Sequence, residues 1–114
     1  MDEVDREWLT DMLEHARAAV SLLGAQDVAQ LEADTRTLYA VSHAVLIVGE
    51  AAGRVSPRGR AEFPGIPWSN IIGMRHRLVH GYRTRSASVL VNTVREHLPP
   101  LVAILEEARV EEDS

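Results

Sequence analysis

The sequence predicts an all-α fold, an up-and-down bundle of four main helices with an extra turn or a kink in the last. Three observations carry this. Apolar residues recur at three- and four-residue steps over long stretches, the mark of helices with one buried face. No segment keeps the strict alternation of a half-buried strand. Glycine and proline cluster between the periodic stretches rather than inside them. The 114 residues suggest one domain, 1–114, with a modest core that association would enlarge.

The first helix is expected over residues 5 to 23, where Trp8, Leu9, Met12, Leu13, Ala16, Ala19, Val20 and Leu23 share one face. Gly24 stops it. Asp27 is placed to cap the next helix, with Gln30 completing a capping box. That helix is expected to run unbroken to about Ala52, on the stripe Leu31, Leu38, Val41, Val45 and Val48. Ala40, Ala44 and Gly49 are small enough to admit another helix closely. Glu50, polar in an apolar turn, is expected to pair with a nearby arginine.

Residues 53 to 66 hold Gly53, Pro57, Gly59, Pro64 and Gly65 and read as a long loop, with a helical turn near Pro57 to Ala61. Pro67 suits the first position of a third helix, because its missing N–H is not needed there. Trp68, Ile71, Ile72, Arg75, Leu78 and Val79 continue that helix, and Gly81 ends it. Ser86 or Ser88 caps the last helical segment, whose apolar face is Val89, Leu90, Val94, Leu98, Leu101, Val102 and Leu105. Pro99-Pro100 must kink or divide it. The acidic tail 110–114 lacks periodicity and is expected to be frayed.

Composition narrows the function. The net charge of -5 argues against a general nucleic-acid binder, because phosphate contacts need positive charge. All 12 basic residues are arginine, which high-GC codon usage explains as well as function does. Arginines gather in the second half of the chain and acids at its two ends. Cysteine is absent, which excludes disulfides and thiolate metal sites and fits a reducing, cytoplasmic setting. The acidic start is no secretory signal, and the longest apolar run is far too short for a membrane span.

Against that background one stretch stands out: Met74-Arg75-His76-Arg77-Leu78-Val79-His80-Gly81-Tyr82. Arginine offers a planar fork that matches phosphate, and histidine moves a proton near neutral pH. Together they suffice for cleavage of RNA with no cofactor and no metal. Histidine would assist proton transfer at the ribose 2′-hydroxyl or the leaving oxygen, and arginine would steady the charge on the phosphorane. On an unbroken helix, five steps of about 100° leave Arg75 and His80 roughly 140° apart. They meet only if the helix loosens at Gly81 or if two copies share a cleft. The bland alternatives are a weak His76/His80 metal pair, surface or capping roles for Arg75 and His80, and simple packing for Tyr82. His15, His43 and His97 carry no motif and read as surface or packing residues.

Four blocks in order carry a family resemblance: Val48-Gly49-Glu50-Ala51-Ala52, Pro64-Gly65-Ile66-Pro67-Trp68, Ile71 through Tyr82, and Leu98-Pro99-Pro100-Leu101. Over about residues 35 to 105 the chain resembles the HepT-like proteins, HEPN-superfamily toxins paired with MNT-type minimal nucleotidyltransferase antitoxins. The resemblance implies a HEPN-type helical bundle that dimerises and forms a ribonuclease cleft from the R-x-x-x-x-H of both subunits. Arg75 and His80 fall on the catalytic pair. His76 falls on a polar position that is most often asparagine, and with Arg77 and Arg83 it would bind or support RNA. Tyr82 falls on the tyrosine that the antitoxin adenylylates to silence the toxin. A competing reading keeps the bundle as a non-catalytic nucleotide- or protein-binding partner of a nucleotidyltransferase.

Overall fold

The computed structural model describes residues 1–80 and 87–112, with Val79 and His80 described by backbone alone. Among the described residues every regular element is helical. The order is α1 (Glu3–Leu23), α2 (Val28–Ala33), α3 (Thr35–Arg54), α4 (Pro57–Ala61), α5 (Trp68–His80), α6 (Ala87–Asn92), a π turn (Thr93–His97) and α7 (Leu98–Glu107). Helix α3 is central, with α1 along one side and α5 along another, while α7 returns against α1. The expected four long helices are therefore α1, α3, α5 and the divided α6–α7 stretch. None of the described helices is long and apolar enough to cross a membrane.

Burial follows the apolar stripes. Leu9, Met12, Leu13 and Ala16 of α1 meet Val41, Val45 and Val48 of α3 and Leu98, Leu101 and Leu105 of α7 in one core. Each large aliphatic side chain there contributes about 1.5–3 kcal/mol by leaving water. Val20, expected on the buried face of the first helix, is instead exposed at its edge.

The helix ends explain the departures from the expected boundaries. Asp2 accepts from Val4 N and Asp5 N, so α1 starts at Glu3. The helix expected to run unbroken from Asp27 to Ala52 is divided at Asp34. That residue ends α2 and caps α3, accepting from Thr37 N (3.1 Å), Thr37 Oγ1 (2.7 Å) and Gln26 Nε2 (3.0 Å). An aspartate that satisfies two donors of a new first turn competes effectively with helix continuation. The Asp27–Gln30 capping box forms as expected, as does the turn at Pro57–Ala61. Pro67 stands just before α5 and its carbonyl takes the Ile71 N–H. Gly81 and Ser86, the expected stop and one expected cap, lie outside the described residues; Ser88, the other candidate cap, stands inside α6, which begins at Ala87.

At Pro99-Pro100 the chain answers the missing N–H groups by widening. The π turn Thr93–His97 closes with Leu98 N–H on Thr93 O, and α7 begins with its prolines in the first turn, where no donor is needed. Arg95 in this turn donates to Gly24 O (3.3 Å) and Gln26 O (2.6 Å), tying it to the end of α1.

The expectation of a frayed tail from residue 110 fails at Val110, which is 1% exposed. Arg109 takes a left-handed φ of 56° that turns the chain back. Thr10 Oγ1 then donates to Val110 O (3.2 Å), and an Arg6 terminal nitrogen donates to Glu112 O. Arg17 reaches Glu106 and Glu111 at 2.9 and 2.8 Å on the same side. Asp113 and Ser114 lie outside the described residues.

One buried charge locks the start of the chain to the α3–α4 corner. Asp5, 5% exposed, accepts from Ser56 N (2.8 Å) and Ser56 Oγ (2.5 Å), and Ser56 Oγ accepts from Gly59 N. The Ser56 hydroxyl and amide hold the Asp5 carboxyl below the ordinary aspartate range. A depressed folded-state pKa contributes stability above the unfolded value and loses it as pH falls through the folded one. Asp5→Ala should therefore cost about 1–3 kcal/mol in urea unfolding at pH 7. The gap to wild type should narrow as pH drops below about 4. A gap that is the same at pH 7 and pH 3 would contradict this role.

Candidate active site

The site is built where α5 crosses α3. Gly49 lies at the crossing, and a methyl group there would stand inside the van der Waals envelope of Arg75 Cβ and 3.2 Å from Ile71 O. Absence of a side chain at Gly49 thus lets the α5 backbone approach α3 at Arg75. Ile71, Met74 and Leu78 of α5 are buried at this junction. They leave Arg75 at its edge, with its side chain 39% exposed.

The next residue along α3 receives the arginine. Arg75 Nε donates to Glu50 Oε2 at 3.1 Å, and Arg54 donates from a terminal nitrogen to Glu50 Oε1 at 3.3 Å. The expected partner of Glu50 is thus found, and it is Arg75 together with Arg54. Arg54 and Arg75 hold the Glu50 carboxyl below its ordinary range, the Arg54 hydrogen bond contributing most. Arg54 in turn lies over the Trp8 ring, 5.2 Å from its centroid. The bond to Glu50 engages Nε, so the guanidinium is gripped by one edge.

The other residues of the conspicuous stretch are distributed by the helix. His76 is exposed. Arg77, two steps and about 200° beyond Arg75, lies on a different side of α5. There it lines a cavity of about 190 Å³ with Asn70, Ile71, Met74, Thr93 and His97. Thr93 Oγ1 contacts Met74 Sδ at 3.6 Å in its wall. His97 thus has a place that its lack of motif did not reveal. The available signal was its spacing from Thr93, a polar i, i+4 pair interrupting an apolar stripe. His15, half-buried, bonds the Asp11 carbonyl through Nδ1 at 2.8 Å, and His43 is exposed.

His80 closes the described part of α5, and the helix is continuous from Trp68 to it. The backbone directions at Arg75 and His80 therefore diverge by roughly 140°. The His80 side chain, Tyr82 and Arg83 lie outside the described residues. Among the described residues no group of three or more His, Asp or Glu side chains could hold a metal ion.

With this geometry stand the comparisons with known proteins. A family model described as "Ribonuclease HepT-like" matches residues 12–108. "Putative RNase MJ1380" of Methanocaldococcus jannaschii is 29% identical over 96 residues, covering 84% of this chain and 88% of that protein. "Probable ribonuclease HepT" of Thermococcus cleftensis is 36% identical over 76 residues, covering 67% of this chain and 69% of that protein. No solved structure shows a significant match.

Proposed function

The chain belongs to the HepT-like ribonuclease family, and from that premise we propose that it is a metal-independent endoribonuclease, the toxin of a toxin–antitoxin pair, acting as a homodimer. The observation that supports this most is Arg75 half-exposed at the α3–α5 junction, its guanidinium fixed by Glu50, on the helix that ends in His80. In the reaction the ribose 2′-oxygen attacks the adjacent phosphorus and loses its proton to a histidine. The P–O5′ bond breaks and the leaving oxygen takes a proton. The products are a 2′,3′-cyclic phosphate and a free 5′-hydroxyl. His80 serves the proton transfers, and Arg75 stabilises the extra negative charge on the phosphorane.

Homodimerisation answers the helix geometry. Continuity of α5 through His80 keeps Arg75 and His80 of one chain on different sides. A two-fold axis beside α5 would bring two arginines and two histidines into one groove, with His76, Arg77 and Arg83 available to support the RNA strand. DNA lacks the internal nucleophile and would not be cut.

The partner is an MNT-type nucleotidyltransferase antitoxin that transfers AMP to Tyr82. The modified tyrosine would carry a bulky group and a negative charge two residues from His80, repelling the RNA backbone and occupying the arginines.

Cleavage of RNA by the purified protein should persist in excess chelator and leave cyclic phosphate ends. His80→Ala should lose about 10²-fold or more in rate, and Arg75→Ala a loss of about 10²–10³-fold. Ends bearing a 5′-phosphate, or activity that vanishes in chelator and returns with magnesium, would contradict the mechanism. RNA binding without cleavage would favour the non-catalytic partner reading.

Tyr82→Phe separates regulation from catalysis, because it keeps the ring and removes the acceptor oxygen. The variant should stay toxic when co-expressed with the active transferase, and its intact mass should show no added AMP. An adenylylated Phe variant would place the acceptor elsewhere, and a variant inert without any partner would assign Tyr82 to the catalytic machinery.

A further inference from the structure

The Glu50–Arg75 pair is too exposed to be explained by stability. The two side chains are 36% and 39% exposed, and an ion pair in that setting adds little to stability. Its geometry is nevertheless specific. Gly49 brings the α5 backbone close to α3, and the next side chain, Glu50, meets the guanidinium at Nε. The second carboxylate oxygen is taken by Arg54, so the carboxylate is gripped from both sides. An acceptor on Nε fixes rotation of the guanidinium plane about its own stem and sets the direction of the NH1/NH2 end. That end is the fork a phosphate uses.

We infer that Glu50 is a positioning residue for Arg75: it holds the guanidinium by Nε so that the terminal nitrogens are pre-aligned for the phosphorane oxygens. Resting on the ribonuclease reading above, this adds a third residue to the machinery, one that touches no substrate. Arg54 has a place in the same device, as the clamp on Glu50. The carboxylate stays ionised through the neutral range, because both arginines favour its charged form.

The test uses full-length wild type, Glu50→Ala and Glu50→Gln with a fluorescent single-stranded RNA, alongside thermal unfolding of each protein. E50A should lose about 10- to 100-fold in kcat, the cost expected of a misplaced catalytic group, with KM within about 3-fold. E50Q keeps an acceptor oxygen for Nε and should recover most of that loss. Thermal midpoints should stay close together. An E50A enzyme that cleaves as fast as wild type or faster overturns the inference, as does a loss confined to KM or an E50Q no better than E50A. A second readout is independent of cleavage. The Arg75 Nε–H resonance, assigned by its loss in R75A, should be resolved in wild type and broadened by solvent exchange in E50A. If wild type and H80A are equally inactive, the ribonuclease reading has failed, and the resonance still decides whether Glu50 holds Arg75. An identical Arg75 signal in wild type and E50A overturns the inference whatever the activity.

Discussion

The site depends on one missing side chain. At Gly49 the α3 backbone comes so close to α5 that a methyl group would collide with Arg75 Cβ and crowd the Ile71 carbonyl. This contact fixes which face of α5 lies inward, and so puts Ile71, Met74 and Leu78 in the core with Arg75 at the rim. It also sets the distance at which Glu50, one residue on, can reach the guanidinium. Packing and chemistry are thus joined at consecutive residues: Gly49 sets the helix separation and Glu50 orients the charge.

The surrounding elements hold that crossing in register. Arg60 of α4 donates to Val55 O (3.1 Å) and Gly53 O (3.1 Å), closing the carbonyl end of α3. The same guanidinium lies 5.9 Å from the Trp68 ring centroid at the start of α5. Trp68 Nε1 donates to Phe63 O, which fixes the loop between the two helices. On the far side Asp5 ties α1 to the α3–α4 corner through Ser56. The break in helix after Arg54 is therefore a hydrogen-bonded corner, from which α5 packs back against α3.

Much of this was legible in the sequence because its causes are local. The Asp27–Gln30 box, the turn at Pro57–Ala61 and the start of α5 after Pro67 follow from capping and proline chemistry. The partner type of Glu50 was legible because a carboxylate in an apolar turn needs a cation. The division at Asp34 was hidden because helix-compatible residues flank it on both sides, and its cap signal was outweighed by the apolar stripe running through. Val110 was hidden because one valine among acids has no period; its burial comes from a turn at Arg109 and from Thr10, 100 residues away. The proline pair announced an interruption, but only the Leu98 to Thr93 bond shows that the chain widens into a π turn. For the site, residue types and spacing pointed to the Arg75–Tyr82 stretch as the candidate. The helix period alone separates Arg75 from Arg77, but the placement of His97 beside Arg77 required the approach of α5 and the π turn.

We propose that the Gly49 crossing acts on RNA cleavage through Arg75. A double-mutant cycle on RNA cleavage tests it most directly, with Gly49→Ala, Arg75→Ala and the pair measured against wild type, each checked for retained helical content. If the added methyl harms the enzyme by displacing Arg75, the double variant should be no slower than Arg75→Ala alone, a coupling that signals a shared mechanism. Losses that simply multiply would contradict a route through Arg75 and assign Gly49 to general packing.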